Sequence, residues 1–372
     1  MSLPTEMKAI VLPSLGQPLE VRTIPVPTAI PGSVVIKVLA VPITDKLDSI
    51  VTGRTGFTFP KDMIPSGFAI GRVAARGPDT TAFKEGQLVM VHSFIRARDD
   101  PDGVQALWGA FDGPNETVRT WFADNWKQGT MAEYVRAPLE NTYALDEDKL
   151  TALGYTPSDL LALAFHVVAI GGLKGINFQA GERIIVAPAT GQYGGATVHV
   201  ALAMGAAQVI AMGRNLQVLK KLQAVYPKGK VEIVPITGDV EKDTQSLKQW
   251  GPVDSYLDIS PPAASGGKTT HIRSAFATVR PYGRISIMGM VFDDIAIPYG
   301  TAVWNNLTIR GQYMYERADV KSLLQLVEGG VLTLGKEGGY EVGGAVSFEE
   351  LTKGFELAAQ KNAVGDIVAF VP

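Results

Sequence analysis

The residues best suited to binding a ligand lie in a glycine-rich turn between a strand and a helix. Residues 183–188 form an apolar, partly β-branched pattern that predicts a buried strand. The turn that follows has the pattern Ala-x-Gly-x-x-Gly at Ala189, Gly191 and Gly194, and helical spacing begins there. Backbone N–H groups and a helix N-terminus converge in such a turn, which predicts a phosphate-binding site. Because the glycine pattern alone is weak, the flanking strand and helix carry this prediction.

A charged group follows at the end of the next predicted strand, residues 208–212. Arg214 comes after Gly191 by roughly the 20 residues that separate the phosphate turn from the ribose-binding position in this fold. An Asp or Glu there would accept a hydrogen bond from the ribose 2′-hydroxyl, whereas a planar guanidinium is suited to a 2′-phosphate. The sequence therefore favours NADP(H) over NAD(H). The alternative is that Arg214 is a solvated residue at the end of the strand.

The ends of further strands should complete this site, because open α/β sheets bind ligands beyond the carboxyl ends of their strands. Two later predicted strands end at Ile259-Ser260 and at Met288-Gly289. The cofactor-binding residues expected from this reasoning are Thr190, Gly191, Gln192, Tyr193, Gly194, Gly213, Arg214, Asn215, Ser260, Met288 and Gly289.

The chain around these residues has two kinds of pattern, which predict two domains of an α/β protein. Residues 158–304 alternate between helices and strands, as in a doubly wound parallel sheet that binds a dinucleotide. Residues 1–157 contain short strands separated by Gly and Pro, a pattern typical of an antiparallel barrel or sandwich. Residues 305–372 are expected to return to this first domain, and their last strand begins at Asp366.

Residues 93–129 interrupt the regular strands of the first domain. This segment is rich in Asp, Gly, Asn and Pro, yet it also carries large aromatic residues. We expect it either to pack over a cleft or to form a surface insertion with a small core of its own. The aromatic residues are Trp108, Phe111, Trp121, Phe122 and Trp126.

The composition excludes several classes of protein. With 34 basic and 37 acidic residues, the formal net charge is −3, which gives no electrostatic case for nucleic acid or an acidic membrane. The sequence shows neither a secretory signal nor a membrane-spanning run. It contains no cysteine, which excludes disulfides and thiolate catalysis and removes the commonest soft zinc ligand. These features favour a cytoplasmic enzyme that acts on a small molecule.

Five segments, in this order and spacing, resemble the medium-chain dehydrogenase/reductase superfamily: residues 35–45, 71–73, 83–89, 129–135 and 179–186. The resemblance covers nearly the whole chain. It implies a GroES-like β-barrel catalytic domain beside a Rossmann NADP-binding domain, with the active site in a cleft. It also implies hydride transfer at C4 of nicotinamide and a homodimer. Asn362 matches a region that often reaches the cofactor in this family.

At the positions where the family has its zinc ligands, this sequence has residues that are not zinc ligands. By the register of the resemblance, Thr44 occupies the first ligand position and Asp45 follows it. The family segment Gly-His-Glu is replaced by residues 66–68, Ser-Gly-Phe, and the third position falls near Ala164. The second family zinc uses four cysteines within 93–129, and this chain has none. We therefore expect no bound zinc, as in the zinc-independent branch that includes quinone oxidoreductases and enoyl reductases.

Several side chains are candidates for the proton donor. Lys46 is either a group that polarises a substrate oxygen or a solvated surface lysine. Tyr193 is expected to pack over the cofactor as well, and His166 is either a donor or a core histidine. Tyr313 and Tyr315 occupy a region that lines the substrate cleft in the family, or they are packing residues. The residues expected along the substrate cleft are Thr44, Asp45, His92 and Tyr315.

Three hypotheses for function follow. Without a Lewis acid, a simple ketone or alcohol is a harder substrate, because the developing alkoxide needs another stabiliser. An NADPH-dependent reductase of an activated C=C bond or a quinone is therefore the first hypothesis. The second is a zinc-free carbonyl or imine reductase, or an alcohol dehydrogenase, in a biosynthetic pathway. The third is a non-catalytic NADP-binding protein.

Overall fold

The first part of the chain consists mainly of strands, and in the second part strands alternate with helices. The computed structural model divides the chain into two compact units. The structure describes residues 3–267 and 269–372. Unit 1 contains the described residues up to Ala164, together with Glu341–Asn362 and Asp366–Pro372. Unit 2 contains the described residues of Phe165–Tyr340 and the segment Ala363–Gly365.

The N-terminal part of unit 1 is built mainly from short strands. Its elements are β1 (Glu6–Val11), β2 (Glu20–Pro25), β3 (Ser33–Ile43), α1 (Asp45–Val51), β4 (Ala69–Arg76), β5 (Leu88–Val91), β6 (Phe94–Arg96), β7 (Gln105–Leu107), α2 (Glu116–Asn125), β8 (Tyr134–Pro138), β9 (Thr142–Ala144) and α3 (Glu147–Ala152). Short 3₁₀ helices cover Leu139–Asn141 and Asp159–Ala162.

Helix α4 (Leu163–Gly175) leads into unit 2, where strands and helices alternate. The elements that follow are β10 (Arg183–Ala187), α5 (Gln192–Ala203), β11 (Gln208–Gly213), α6 (Leu216–Ala224), β12 (Val231–Pro235), α7 (Val240–Lys248), β13 (Val253–Asp258), α8 (Thr270–Phe276), β14 (Val279–Ile287), α9 (Tyr299–Trp304), β15 (Thr308–Gly311) and α10 (Arg317–Glu328). The chain ends with β16 (Glu341–Val346), α11 (Leu351–Gln360) and β17 (Asp366–Phe370) in unit 1. Further 3₁₀ turns cover Pro262–Ala264, Lys336–Gly338 and Phe348–Glu350.

Strand β3 is central to unit 1 because it is buried along most of its length and pairs with three other strands. It runs antiparallel to β4, β8 and β17. The larger sheet has the order β16-β17-β3-β4-β5-β9. The expectation that the last strand returns to the first domain is therefore confirmed, since β17 pairs with β3.

The aromatic insertion is packed into unit 1. Trp108 and Phe122 are both 0% exposed and belong to the same apolar core as Ile36 of β3. The indole Nε1 of Trp108 donates a hydrogen bond to Gln128 O (3.1 Å). Residues 93–129 thus contribute to the core of unit 1, although they were also compatible with a separate surface insertion.

The sheet of unit 2 is parallel throughout and has the strand order β12-β11-β10-β13-β14-β15. Ile184, Ile185 and Val186 of β10 are 0% exposed, as expected for a parallel strand covered on both faces. The strand order reverses between β10 and β13, so ligands are expected at the carboxyl ends of these two strands. The prediction of a doubly wound Rossmann sheet is confirmed.

The expected domain boundary after residue 304 was wrong. Strand β15 pairs in parallel with β14, from Arg284↔Thr308 to Ile287↔Gly311, and so extends the sheet of unit 2. The described part of the chain leaves unit 2 only after Tyr340. The periodicity of residues 305–340 predicts a strand and a helix, but it does not show which sheet the strand joins.

In the described part of the chain, no helix is long and apolar enough to cross a membrane.

Candidate cofactor site and active-site residues

The glycine turn of unit 2 has two glycines with different surroundings. Gly191 is the N-cap of α5, with φ −86° and ψ 167°, and a Cβ built on it would meet nothing within 4 Å. A Cβ on Gly194 would instead lie 1.9 Å from the carbonyl oxygen of Pro188. Glycine at 194 therefore lets α5 approach the end of β10, while the space beside Gly191 stays open. The helix N-terminus faces this position with N–H groups that have no partner within the helix.

The turn is held on its other side by two segments distant in sequence. A Cβ on Gly213, at the end of β11, would lie 2.4 Å from Thr190 Cγ2. The Val364 N–H donates to Thr190 O (3.0 Å), and Ala363 forms an isolated bridge with Gly191. The segment Ala363–Gly365 thus fixes the backbone of the phosphate turn. The sequence signalled this region only through Asn362, the residue before it.

The end of β11 carries an exposed cation and no acid. Arg214 follows the last residue of β11, is exposed, and forms no ion pair in the part of the chain that the structure describes. The neighbouring Asn215 has a different role from the expected one, because its Oδ1 accepts from Gln217 N (3.1 Å) and Val218 N (3.2 Å). Its side chain therefore caps α6, which leaves Arg214 as the side chain at this strand end that is suited to a phosphate.

The ends of β13 and β14 lie where the sequence predicted them, but the Ser260 side chain is turned inward. Ser260 is 1% exposed, and its hydroxyl donates to Asp258 Oδ1 (2.7 Å). Its predicted contact with the cofactor is therefore restricted to the backbone. Gly289 has no room for a side chain, since its Cβ would lie 2.5 Å from Asp258 Oδ2. A Cβ on Gly172 of α4 would meet the sulfur of Met288 at 2.1 Å, so Met288 packs against that helix.

Tyr193 and Gln192 begin α5 at the edge of the turn. The ring of Tyr193 is half-buried and meets Phe165 edge-on, with centroids 5.2 Å apart. Gln192 is 7% exposed. This packing agrees with Tyr193 as a residue that shapes the cofactor site, and its predicted catalytic role stays untested.

The geometry of unit 2 fits a nicotinamide dinucleotide. It combines open space beside Gly191, the N-terminus of α5 and an exposed guanidinium at the end of the neighbouring strand. The open space and the helix N-terminus suit a pyrophosphate, and the guanidinium suits a ribose phosphate. The residues placed to hold such a cofactor are Thr190, Gly191, Gln192, Tyr193, Arg214 and the backbone of Ser260 and Gly289.

The structure places His166 in a buried network and not at an accessible site. His166 is 0% exposed, and its Nε2 lies 2.9 Å from the hydroxyl of Tyr340. The ring of Tyr340 also packs on His199, whose Nδ1 is hydrogen-bonded to the Tyr226 hydroxyl. Burial lowers the pKa of His199 to about 3, with a further contribution from His166. A general acid must reach its substrate, so the geometry corrects the catalytic role predicted for His166.

The two candidate tyrosines after β15 have opposite environments. Tyr315 is 3% exposed, and a Cβ on Gly171 of α4 would meet its Cβ at 2.7 Å. Tyr315 is therefore a packing residue, which corrects its expected place along a substrate cleft. Tyr313 is 47% exposed, while desolvation by the surrounding protein raises its pKa to about 12. A phenol with that pKa stays protonated at neutral pH, as a proton donor must.

In unit 1, the start of α1 brings together the residues near the first family zinc position. Thr44 is the N-cap of α1, and its side chain makes no capping hydrogen bond. Asp45 is half-buried and accepts a long hydrogen bond from Asn362 Nδ2 (3.5 Å). The Asn362 side chain thus contacts Asp45, and its predicted contact with the cofactor stays a prediction.

Lys46 combines solvent exposure with a lowered pKa. Its side chain reaches solvent, yet desolvation by the surrounding protein lowers its pKa to about 8, opposed by the negative charge of Asp45. A lysine with a pKa near neutral can hold or release a proton during turnover.

His92 is not accessible from a cleft. It is 4% exposed, its Nε2 lies 3.4 Å from the Tyr143 hydroxyl, and its Nδ1 lies 3.2 Å from Asn141 Nδ2. Both ring nitrogens thus face buried partners within unit 1. This corrects the expectation that His92 lines the substrate cleft.

The residues at the family zinc positions do not fit a catalytic zinc. A Cβ on Gly67, where the family has its ligand histidine, would lie 2.2 Å from the carbonyl oxygen of Trp108. The Ser66 N–H donates to Gly109 O (3.1 Å), so the insertion covers this turn directly. Thr44 and Ala164 offer a hydroxyl and a methyl group in place of the strong donors that zinc prefers. Among the described residues, no three His, Asp or Glu side chains cluster in a way that could hold a metal ion.

Sequence reasoning missed two buried acids. Asp258 lies under the ends of β13 and β14, and Asp112 lies in the insertion, where its Oδ1 accepts from the Thr58 hydroxyl (2.8 Å). Desolvation raises the pKa of Asp112. Neither residue belongs to a recognisable motif. The position of Asp258 at the end of an apolar strand was the one available signal.

Comparison with known families assigns this arrangement to a class. A model of the alcohol dehydrogenase GroES-like domain matches residues 30–147, and a model of zinc-binding dehydrogenases matches residues 194–329. The two matches lie one in each unit and in the order expected for one superfamily. The chain belongs to the medium-chain dehydrogenase/reductase superfamily and is an oxidoreductase of that superfamily. Members of this superfamily bind a nicotinamide cofactor, and many also use zinc.

Individual relatives agree with this assignment at low identity. An alcohol dehydrogenase from Moraxella sp. (strain TAE123) is 25% identical over 331 residues, covering 87% of this chain and 89% of the relative. D-xylulose reductase A from Aspergillus oryzae is 26% identical over 249 residues, covering 65% and 64%. The structure of the alcohol dehydrogenase TADH from Thermus sp. ATN1 superimposes with a TM-score of 0.78 at 21% identity, covering 98% of this chain and 99% of that one. The last comparison shows a shared fold.

Proposed function

We propose that this chain is a zinc-independent, NADPH-dependent oxidoreductase that reduces an activated C=C bond, as in an enone or enoyl compound, or a quinone. The observation that carries the proposal is the contact between Gly67 and Trp108. It occupies the position at which family members place the histidine that holds zinc. A substrate whose developing charge is delocalised needs no metal at that position.

The preference for NADPH is supported by Arg214. The guanidinium is exposed at the end of β11, and Asn215 beside it is occupied in capping α6. No acidic side chain follows β11 before α6 to accept from a ribose 2′-hydroxyl. NADPH, when bound, supplies a hydride from C4 of its nicotinamide ring.

The proton that completes the reduction is assigned to Lys46. Its Nζ holds a proton at neutral pH and releases it more readily than an ordinary lysine, because desolvation lowers its pKa. Thr44 and Asp45 precede it at the start of α1 and are proposed to line the substrate pocket. Tyr313 is the alternative donor, since it is also accessible and stays protonated.

A second candidate function is favoured by the names of the relatives. They include alcohol dehydrogenases and D-xylulose reductase A, which act at an alcohol or a ketone group. A carbonyl or imine reductase, or an alcohol dehydrogenase, that works without zinc would need Lys46 or Tyr313 to stabilise the oxygen or nitrogen. A non-catalytic NADP-binding protein is the third candidate.

A substrate panel separates these candidates. NADPH and NADH oxidation would be followed with enones, quinones, ketones and imines, on protein whose metal content has been measured and on protein dialysed against a chelator. We expect NADPH consumption with enones or quinones that chelation leaves unchanged. Activity confined to ketones or imines would favour the second candidate, and loss of activity on chelation would overturn zinc independence. Nucleotide binding with no turnover of any substrate would favour the third.

The homodimer is also part of the proposal, and an exposed apolar edge of unit 2 supports it. All four residues of the edge strand β15 are exposed, and α9 has no buried residue. Trp304 is 87% exposed and Tyr299 77% exposed. A parallel-sheet edge of this kind can pair with the same edge of a second copy about a two-fold axis.

Light scattering after size-exclusion chromatography tests the assembly. We expect the wild-type chain to elute as a dimer and Trp304→Asp as a monomer. Val331→Asp serves as a control, because Val331 is also exposed in unit 2 but lies outside β15 and α9. A monomeric wild-type chain, or equal dissociation of both variants, would remove the support for a dimer through this edge.

A further inference from the structure

A buried acid lies at the end of β13, and the proposed function gives it no role. Asp258 is 1% exposed and is the last residue of β13. In the sheet it lies opposite Ala187, the last residue of β10, and the next N–H, of Ile259, donates to Ala187 O (3.0 Å). Asp258 is therefore adjacent to the strand that leads into the glycine turn, at the point where the strand order reverses.

Three buried side chains surround the Asp258 carboxylate. Its Oδ1 accepts hydrogen bonds from the Tyr256 hydroxyl (3.1 Å) and the Ser260 hydroxyl (2.7 Å). Ser260 Oγ also lies 2.9 Å from His271 Nε2, and that nitrogen is 3.5 Å from Asp258 Oδ1. Tyr256, Ser260 and His271 are each at most 2% exposed. These bonds hold the Asp258, Tyr256 and Ser260 side chains in place, because an unpaired polar group is costly at this depth. The Nδ1 of His271 has no hydrogen-bond partner among the described residues.

The same network links the ends of β13 and β14. The backbone N–H groups of Met288 and Met290 donate to the carbonyl oxygens of Asp258 and Ser260, at 2.9 Å each. Gly289 lies between them against the carboxylate, and a Cβ there would also come within 2.8 Å of Ser260 N. The two strand ends therefore cannot shift independently of Asp258.

The backbone beyond Ser260 is stiff, so only residues 259–260 could move at this end of the strand. Pro261 and Pro262 follow directly, and proline fixes its own φ angle. The inward hydrogen bonds of Ser260 remove the remaining freedom. The half-buried Ile259 and the backbone of Ser260 are consequently held beside the turn at the end of β10.

We infer that Asp258, Ser260 and His271 form a positioning network for the nicotinamide half of the bound dinucleotide. The inference rests on the proposed function. A doubly wound sheet holds a dinucleotide across the point where its strand order reverses, with one half on each side. The side formed by β10, β11 and β12 carries Arg214, so it takes the adenosine half. The ends of β13 and β14 take the nicotinamide half, and the network sets their position through the backbone.

The test compares NADPH with 2′,5′-ADP, which carries the adenosine half alone. Equilibrium binding of both ligands would be measured for the wild-type chain, Ser260→Ala and the control Ser255→Ala. Ser255 is a buried serine of β13, the strand that ends at Asp258, and its hydroxyl has no hydrogen-bond partner among the described residues. We expect Ser260→Ala to weaken NADPH binding by about tenfold, because the backbone of residues 259–260 is then no longer held in position before the ligand binds. Binding of 2′,5′-ADP should be unchanged, and Ser255→Ala should change neither ligand.

The outcomes separate this inference from the proposed function. If the wild-type chain binds neither ligand, the proposed cofactor is wrong and the inference with it. If the wild type binds NADPH and Ser260→Ala binds it equally well, the inference alone is wrong. If Ser260→Ala weakens the binding of NADPH and of 2′,5′-ADP equally, Ser260 has a general structural role, and the inference is also wrong. Melting temperatures are recorded throughout, and if Ser260→Ala does not fold, His271→Gln must give the same selective loss.

Discussion

The glycine turn of unit 2 and the turn at residues 66–68 of unit 1 both contain a glycine with no room for a side chain, but the consequences are opposite. At Gly194, a Cβ would meet Pro188 O at 1.9 Å, and this close packing leaves the neighbouring Gly191 open to a ligand. At Gly67, a Cβ would meet Trp108 O at 2.2 Å, and the insertion closes the place where family members bind zinc. Close packing against a glycine thus goes with open space in one turn and with a covered position in the other.

The two turns differ in the room that they leave for a ligand. Unit 2 keeps the strand order, the turn and the open space that a dinucleotide requires. Unit 1 matches the GroES-like domain of the family, and its turn at Gly67 lies against the backbone of Trp108. In the proposed zinc-independent reaction, the proton and the charge stabilisation would come from accessible side chains such as Lys46.

The largest expected effect comes from removing the buried indole of Trp108, the residue whose backbone lies against Gly67. Trp108→Ala should lower the free energy of unfolding by about 3–5 kcal/mol, as for other fully buried aromatic residues. Denaturant unfolding measures this loss. Trp121→Ala is the control, because Trp121 lies in the same insertion but is half-buried. If the two variants are equally stable, the Trp108 indole does not anchor the insertion in the core of unit 1, and the comparison between the two turns loses its support.

The next largest effect concerns Lys46, which unit 1 contributes to the proposed reaction. Lys46→Met should lower kcat by about 10²-fold, the low end of the range for a general acid, because water can replace an exposed donor in part. The donor is the ammonium form, and its pKa is lowered to about 8. Activity that depends on it is therefore present below about pH 8 and falls as the pH rises through that value.

Steady-state kinetics from pH 6 to pH 10 check this assignment, with the pH range chosen to bracket a pKa of about 8. Lys46→Met should lose the decline near pH 8 as well as the rate. Lys37→Met is a suitable control, because Lys37 is an exposed lysine on β3. If the decline near pH 8 persists without Lys46, another group supplies the proton, and Tyr313→Phe is then the variant to measure.

A matched pair of glycine variants sharpens the account of the turn in unit 2. Gly194→Ala forces a methyl group against Pro188 O, and overpacking of this kind costs about 1–3 kcal/mol. Gly191→Ala adds the same methyl group to open space, so the melting temperature should hardly change while NADPH binding weakens. Thermal melts and NADPH titrations of both variants provide the measurement. A Gly191→Ala protein that binds NADPH normally would show that the open space is not where the pyrophosphate lies.

Local features of the sequence were sufficient for the fold and for the cofactor turn. The apolar run of β10, the glycine spacing and the helix after it all lie within about 20 residues, where short-range rules apply. The return of β17 to unit 1 was also predicted, and the pairing of β17 with β3 confirms it. The boundary after residue 304 was wrong, because the partner of an isolated strand such as β15 is decided by tertiary packing.

The environments of candidate side chains could not be predicted in the same way. His166 and Tyr340 lie far apart in sequence and meet only in the folded unit, so nothing local showed that His166 is enclosed. The cover that Trp108 provides over Gly67 is also a long-range contact. A lost zinc ligand can be read from the sequence, whereas the filling of its site can be seen only in the structure.

The smallest expected effect tests the charge at the end of β11. Arg214→Ala should weaken NADPH binding by about tenfold and leave NADH binding nearly unchanged, because only NADPH carries the 2′-phosphate that the guanidinium is proposed to bind. The loss should shrink as salt is added, since the exposed charge is screened. Lys230→Ala is the matched control, because Lys230 is an exposed cation of unit 2 that precedes β12, at the opposite end of the parallel strands from Arg214. Equal losses for NADPH and NADH would mean that Arg214 does not read the 2′-phosphate, and the turn in unit 2 would then define a dinucleotide site without a preference for NADP.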